Sequence, residues 1–302
     1  MAIMFIWSLF SYDILVLKEL RKIENLTTRA GLRTIIDRYG LQTRKKLGQH
    51  FLVDTHVVDK IIAAAALSTE DVILEVGPGP GGLTQALLSH AGHVIAVELD
   101  TQLIPVLTDL FSDYSFTLVQ GDILKINLPE ILAPHKGRPI KVVANLPYYI
   151  TTPVILYLLE SGLPFTSITV MVQKEVAKRM AAFPGTKDYG SLTLAIRYYA
   201  DVELVANVPV NCFMPRPAVD SAVVHLKLRP DPPIATDKDL MFKVIHAAFN
   251  QRRKTLLNAL SAGLELDKAH IATILQKCNL NPDVRGETLD MPAFALIAKN
   301  LW

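Results

Sequence analysis

Four consecutive residues, Asn145-Leu146-Pro147-Tyr148, put a carboxamide, a rigid turn and a phenol at the tip of the apolar run Ile140, Val142, Val143, Ala144. These groups suit the activation of an aromatic amine. An exocyclic amine on a nucleobase donates its lone pair into the ring and is a poor nucleophile. If the Asn145 side-chain oxygen and a main-chain carbonyl at Leu146 or Pro147 accept hydrogen bonds from the NH2 group, the nitrogen pyramidalises and its lone pair turns toward an electrophile. Pro147 fixes the backbone so that the carbonyls converge. Tyr148 offers a ring face on which a flipped base can stack, worth roughly 1–3 kcal/mol per base. The same four residues also describe an ordinary strand-ending turn, so their meaning depends on what surrounds them.

Upstream, Val72-Ile73-Leu74-Glu75-Val76 runs into Gly77-Pro78-Gly79-Pro80-Gly81-Gly82-Leu83-Thr84 and then an apolar helical pattern: strand, glycine loop, helix. Gly77, Gly79 and Gly82 satisfy G-x-G-x-x-G, and Glu98, followed by Leu99, ends the next apolar run, where a ribose-binding acid is expected. A nicotinamide-binding protein shares these features. The two prolines stiffen the loop, however, and Glu75 directly before it suits a cationic amino-acid portion better than a pyrophosphate. That points to a sulfonium ligand, S-adenosyl-L-methionine. A third strand, Phe116 to Gln120, ends in Gly121-Asp122-Ile123, and Asp122 can accept a hydrogen bond from the adenine amino group of such a cofactor.

The elements that must hold these residues alternate strand and helix. After the strand ending at Ala144, Ile155 to Leu159 reads as helix and Ile168 to Val172 as strand. Val202 to Val208 and Val223 to Leu228 read as two late strands that close the sheet antiparallel. The fold class expected is α/β, a Rossmann-like seven-stranded sheet of the class I methyltransferase kind. In such open sheets ligands bind outside the carboxyl ends of the strands, where the glycine loop and the tetrad both fall. Beyond Arg229 the Pro-rich joint Pro230-Asp231-Pro232-Pro233 leads into helical patterns around Phe242 to Leu260, Lys268 to Cys278 and Pro292 to Leu301. Asp267 and Asp290 are helix-start signals, and Pro292 sits where a first-turn proline is tolerated. A helix from Thr28 to Tyr39 begins the ordered part. The organisation expected is an N-terminal extension and leading helix over 1–42, a catalytic domain over 43–229 and a small helical domain over 230–302.

Half the residues are hydrophobic and a fifth are charged, which excludes a disordered chain and supplies enough apolar side chains for one large domain and a small one. Cys212 and Cys278 are too few for a disulfide framework or a metal site, pointing to a reducing, cytoplasmic compartment. A net charge of +2 means that any nucleic-acid contact comes from local clusters. There are three: Arg44-Lys45-Lys46, then Lys174 with Lys178 and Arg179 on a helix, and Arg252-Arg253-Lys254 on another. Each could be a solvated face, but beside a base-modifying site they become phosphate contacts that position RNA without reading its sequence. Met1 to Leu17 is strongly apolar. It lacks a basic start and a small-residue cleavage site, is interrupted by Asp13, and falls short of the roughly twenty residues of a membrane span, so neither an anchor nor a signal peptide is expected.

From about Thr43 to the C-terminus the chain resembles the ribosomal RNA adenine N6,N6-dimethyltransferases of the KsgA type. Leu47-Gly48-Gln49-His50-Phe51-Leu52 is similar to that family's first cofactor-contacting motif, with His50 where many members carry Asn. Glu75 to Thr84, Glu98, Gly121-Asp122 and Asn145 to Tyr148 follow in order. After them come Gln173 to Arg179, Tyr189-Gly190-Ser191-Leu192 and Phe213-Met214-Pro215-Arg216-Pro217-Ala218-Val219-Asp220-Ser221. The resemblance implies a catalytic set of Asn145, Leu146, Pro147, Tyr148 and Phe213, with Phe213 and Tyr148 sandwiching the target adenine. It implies S-adenosyl-L-methionine held by Gln49, His50, Leu52, Glu75, Gly77, Gly79, Gly81, Glu98, Leu99, Asp122, Ile123 and Asn145, and no metal.

The substrate implied is two adjacent adenosines near the 3′ end of small-subunit ribosomal RNA within a pre-30S particle, modified by a monomeric enzyme without membrane contact. Two alternatives belong to the same fold: a macrolide-resistance enzyme acting on large-subunit RNA, and a non-catalytic RNA-binding or assembly protein. Residues 213–221 and the tail around Arg285-Gly286-Glu287 look more like the small-subunit branch. The intact Asn145, Tyr148 and Phe213 speak for catalysis, and the tetrad speaks against a dehydrogenase.

Overall fold

The computed structural model describes residues 25–42, 44 and 48–301. Met1 to Leu17, Lys45, Lys46 and Leu47, to which expectations were attached above, lie outside the described residues. A leading helix α1 (Arg29–Tyr39) starts at Thr28, whose side chain accepts from the Gly31 N–H, and stops at Gly40 in the left-handed region with φ 61°.

The strands β2 (Val72–Val76), β3 (His93–Glu98), β4 (Phe116–Gln120), β5 (Ile140–Asn145), β6 (Phe165–Gln173), β7 (Ala200–Val208) and β9 (Ser221–Leu228) form one seven-stranded sheet in the order β4-β3-β2-β5-β6-β9-β7. β2 to β6 run parallel, while β9 pairs antiparallel with both β6 and β7. The two late strands thus close the sheet as the sequence predicts, with the last one inserted between its predecessors. Every residue of β2 is buried, as expected of a parallel strand covered on both faces.

On one face Leu74, Val142 and Val170 pack with Leu158 of α6 (Thr151–Glu160) and Ile196 of α8 (Ser191–Tyr199). On the other, Ile73, Val143 and Met171 pack with Ile61 of α2 (Thr55–Ala65) and Leu87 of α3 (Gly82–Leu88). The chain passes from β2 outward to β3 and β4, then returns through β5 on the other side of β2. The carboxyl ends of β2 and β5 therefore flank a topological switch point, where an open sheet leaves a crevice.

A two-residue ladder reinforces that crevice: β1 (Phe51–Leu52) pairs antiparallel with β8 (Phe213–Met214) in the register Phe51↔Met214 and Leu52↔Phe213. Segments far apart in sequence are thereby joined beside the tip of β5.

The C-terminal region holds α9 (Lys238–Asn250), α10 (Leu256–Leu264), α11 (Lys268–Lys277) and α12 (Met291–Lys299). Asp267 and Asp290 cap their helices through Ala269 N–H and Ala293 N–H, as read from sequence. The stretch from Phe242 to Leu260 is two helices rather than one, and Arg252-Arg253-Lys254 lies in the turn between them instead of on a helix. The Arg252 guanidinium bonds the carbonyls of Lys187 and Tyr189, both at 2.8 Å, and draws the chain out of helical register. Tyr189, Leu194 and Tyr198 enter the same apolar cluster as Val244, Leu260 and Phe294. The Tyr189 hydroxyl also donates to the Leu289 carbonyl at 2.8 Å. The helical tail is thus packed directly onto α8 and the loop before it.

Among the described residues, no helix is long and apolar enough to cross a membrane.

Candidate active site

Fourteen of the residues predicted for the site line one crevice at the carboxyl ends of the strands: Gln49, His50, Leu52, Glu75, Gly77, Gly79, Glu98, Leu99, Asp122, Ile123, Asn145, Leu146, Pro147 and Tyr148. The strand-tip positions put them there without long side-chain excursions. Gly81 and Phe213 do not line it.

The donor end is built around two acids. Glu75, last but one in β2, is 1% exposed and accepts a hydrogen bond from the Thr84 hydroxyl at 2.7 Å. Burial pushes its carboxyl up to about 8, against the opposing Thr84 bond and with a further push from Glu98. Glu98, at the tip of β3, accepts from the main-chain N–H of Gly79 at 3.1 Å and of Asp100 at 2.7 Å. Burial also raises Glu98, to about 7, although the two N–H bonds oppose the shift. Two carboxyls lining a crevice and held back from ionising match a ligand that carries positive charge, because a cation stabilises the form that burial penalises.

The loop between β2 and α3 is closed by glycines for two different reasons. Gly79 has φ 58°, and a Cβ there would come within 3.1 Å of the Phe51 ring. It keeps the crevice wall open and its N–H on Glu98. Gly81 has φ 94°, and a Cβ would strike the Phe111 ring at 2.5 Å. Packing against α4 (Ile104–Phe111) alone therefore requires glycine at this position.

A group that sequence reading missed completes this end. Asp100, 2% exposed, accepts from the Gln49 Nε2 at 2.7 Å and pairs with Arg44 at 3.1 Å, while its own N–H bonds Glu98. Gln49 is thereby aimed through Asp100, and Arg44, counted above among RNA contacts, is engaged at the crevice. The Glu98-Leu99-Asp100 spacing accounts only for the Asp100 N–H bond to Glu98, and nothing local signals the contacts of its carboxylate with Gln49 and Arg44. Asp122 accepts from the Leu124 N–H at 3.1 Å and lies 3.6 Å from the Lys125 ammonium.

At the acceptor end, Asn145 is oriented by its neighbour: its Nδ2 donates to the His50 carbonyl at 3.0 Å. Oδ1 is then the amide atom left to receive an incoming N–H. The two candidate carbonyls, of Leu146 and Pro147, differ in occupancy. The Pro147 carbonyl accepts from the Ile150 N–H at 3.2 Å and the Thr151 hydroxyl at 3.0 Å, so Leu146 is the carbonyl that remains. Its own N–H is anchored on the Met171 carbonyl of β6 at 3.2 Å. The Tyr148 hydroxyl shares a 2.7 Å hydrogen bond with Ser221, and burial raises its phenol above the usual value, with Asp220 adding to the shift and Ser221 opposing it. It is a held ring, not a base.

Phe213 departs from expectation. Its side chain is 0% exposed and belongs to the apolar cluster of Leu52, Val208 and Val223. The β1–β8 register turns it into the core, and no ring of Phe213 faces Tyr148. The ring beside Tyr148 is that of His50, with centroids 5.6 Å apart and planes inclined at 28°.

The sheet order, the glycine loop after its central strand and the polar tip of β5 together define a class I methyltransferase. Within that class, a family model described as ribosomal RNA adenine dimethylase matches residues 40–296, and the chain belongs to that family. It is similar to the ribosomal RNA small subunit methyltransferase A of Lachnoclostridium phytofermentans, with 50% identity over 270 residues, 87% of this chain and 93% of that protein. Among solved structures it is similar to a dimethyladenosine transferase from Plasmodium falciparum, with a TM-score of 0.70 and 27% identity over 82% of this chain and 96% of the other. The 23S rRNA methyltransferase ErmE shares the fold at a TM-score of 0.63 with 24% identity, over 83% of this chain and 99% of that one.

Proposed function

We propose that this chain dimethylates N6 of two adjacent adenosines near the 3′ end of small-subunit (16S) ribosomal RNA, with S-adenosyl-L-methionine as donor and a part in ribosome biogenesis. The observation that carries the reading is the committed amide of Asn145, whose Nδ2 is taken by His50 and whose Oδ1 is left, beside the Leu146 carbonyl, at a strand tip facing two buried acids. The 50% identity to a small-subunit enzyme supports this substrate over large-subunit RNA.

The donor supplies a methyl group on a sulfonium, whose leaving group is a neutral thioether. Glu75 and Glu98 favour that positive charge, Glu98 is also within the turn that would receive the ribose, and Gln49 and Asp122 would hold the ends of the molecule. Asn145 Oδ1 and the Leu146 carbonyl accept the two N–H bonds of the adenine amine, which localises its lone pair on nitrogen. The base must leave its stack to reach them, and Tyr148 receives it on its ring face. After the first transfer one N–H remains, so one of the two acceptors suffices for the second. The proton released at each step passes to water, because neither acceptor is a base of useful strength.

We take residues 43–229 as the catalytic unit and 230–302 as a helical domain docked on it. The exposed Lys178, Arg179, Arg253 and Lys254 are suited to RNA phosphates, within a pre-30S particle bound by a single copy of the chain. The two free cysteines, Cys212 and Cys278, suit a reducing cytoplasm.

Asn145→Ala tests the reading. Loss of one preorganised partner of the reacting group is expected to lower turnover by about 10²-fold or more, with the cofactor dissociation constant unchanged by calorimetry. Turnover within a few-fold of wild type contradicts the role given to Asn145.

A further inference from the structure

We infer that the segment from Leu26 through α1 belongs to the methyl-transfer site, with Arg29 as a positioning residue: Leu26 and Leu32 wall the crevice, and the Arg29 guanidinium braces the β1–β8 ladder that orients the Asn145 amide. The inference rests on the reading of the chain as an adenine methyltransferase. It adds to residues 43–229 a segment that lies upstream of the match to the family model, which begins at residue 40.

Three observations converge on it. Leu26 and Leu32, 3% and 1% exposed, line the same crevice as Glu75, Glu98 and Asn145. The segment is also seated there independently of Arg29. The Leu26 N–H donates to the Gln85 side-chain oxygen of α3 at 3.0 Å, Leu26 and Ile35 pack with Leu107 and Phe111 of α4, and the Tyr39 hydroxyl donates to Asp109. Finally, the half-buried Arg29 reaches across the molecule. Its Nη2 donates to the Asn211 carbonyl and lies 3.5 Å from that of Phe213, which joins α1 to the start of β8.

The strand pairing says what this bond does. The Cys212 carbonyl faces β1 and accepts the Val53 N–H at 2.8 Å. The next pair, Leu52↔Phe213, is therefore a non-hydrogen-bonded one, and the Phe213 carbonyl turns away from β1, toward Arg29. A two-stranded ladder this short is marginal without outside support. This one has a task at the reacting group, because β1 follows His50 directly. The His50 carbonyl takes the Asn145 Nδ2 at 3.0 Å, and the His50 Nδ1 lies 3.0 Å from the Pro215 carbonyl just past β8. Arg29 thus acts through others: it holds β8, β8 holds β1, and β1 holds the carbonyl that commits the amide. The leucine contacts and the guanidinium sit on one short segment, so the two ends of the crevice share a support that neither end's own motif supplies.

The experiment compares Arg29→Ala, Arg29→Lys, Arg33→Ala, Leu32→Ala and Leu32→Val with wild type. It measures kcat and KM on undermethylated small subunits at two salt concentrations, the cofactor dissociation constant by calorimetry, and the Tm. Arg29→Ala is expected to lower kcat by at least about tenfold through misplacement of the amide, with KM for the particle and the cofactor constant within about twofold of wild type. Arg29→Lys keeps an ammonium with three donors and is expected to recover part of that loss. Arg33 is exposed on the same helix, and Arg33→Ala removes an equal charge with no expected change in kcat. Leu32→Ala is expected to raise the cofactor dissociation constant by at least about fourfold, the worth of one buried methylene, and Leu32→Val, a smaller truncation, to move it in the same direction.

Wild-type kcat in Arg29→Ala overturns the inference while leaving the proposed function intact. So does a loss confined to KM, shared by Arg33→Ala and accompanied by a shallower salt dependence, which makes Arg29 a phosphate contact. A joint fall in kcat, cofactor affinity and Tm that Arg29→Lys does not relieve also overturns it, as it makes α1 an element of the fold alone. An unchanged cofactor constant in both Leu32 variants removes the wall and overturns the inference from the donor side. Absence of adenine methylation by the wild-type protein is the separate failure, that of the function itself.

Discussion

The two ends of the crevice are built on different physical terms. At the donor end the groups are fixed by strands and loops: Glu75 inside β2 on Thr84, Glu98 at the tip of β3 under two main-chain N–H groups, Gln49 aimed by Asp100. At the acceptor end neutral groups are held by single hydrogen bonds, the Asn145 amide on the His50 carbonyl and the Tyr148 hydroxyl on Ser221, with the His50 ring 5.6 Å from that of Tyr148. A cofactor of one shape can be met by a rigid half-site whose cost is the desolvation of two acids. The donor end relies on buried charge, and the acceptor end on oriented neutral groups.

The sharpest way to break this contrast is Glu98→Ala. The donor end should lose affinity alone, with the cofactor dissociation constant rising by about 10- to 100-fold, the range for a hydrogen bond involving a charged group. KM for the ribosomal particle at saturating cofactor should stay near wild type. An unchanged constant by calorimetry removes Glu98 from the donor site.

The pH dependence sharpens it next. Burial holds Glu75 near 8 and Glu98 near 7, against an ordinary 4.5. Between those limits the folded protein binds more protons than the unfolded chain, so these acids make stability fall as pH rises through that window. A cation favours their ionised forms, so cofactor binding should release protons below about pH 8, and affinity should rise from pH 6 to 8 by about tenfold where Glu98 alone ionises and by more where Glu75 follows. Calorimetry in two buffers of different ionisation enthalpy measures the release directly. A constant affinity and no proton release from pH 6 to 9 contradicts the electrostatics given to the donor end.

The smallest effect belongs to the acceptor end. Ser221→Ala removes the partner of the Tyr148 hydroxyl and should reduce kcat/KM for the particle by about two- to tenfold, the worth of one neutral hydrogen bond. Cofactor affinity should not move. A loss confined to cofactor binding would join the two ends that the structure keeps apart.

Features that depend on neighbours in the chain were legible before the structure. The β2–glycine loop–α3 unit, the Asn145 to Tyr148 tip and the capping roles of Asp267 and Asp290 are local patterns, and each appears where the sequence puts it. The misses are all tertiary. Gly77, Gly79 and Gly81 look alike in sequence, and the Phe111 ring behind Gly81 is visible only in three dimensions. Phe213 could point to either side of β8, and its pairing with Leu52 decides for the core. Asp100 works through Gln49 and Arg44, which no spacing rule connects to it. The Arg252 turn hides in a helical pattern because its polar residues fit a solvated helix face as well as a loop, and the carbonyls that hold it lie more than sixty positions away.

The most direct test is to incubate the purified protein with labelled S-adenosylmethionine and, in parallel, undermethylated small subunits, large subunits and duplex DNA, then digest and identify the modified nucleoside. N6,N6-dimethyladenosine from the small subunit alone, on neighbouring residues near the RNA 3′ end, is the result expected. Label in large-subunit RNA, or none in any substrate while the cofactor binds tightly, contradicts it.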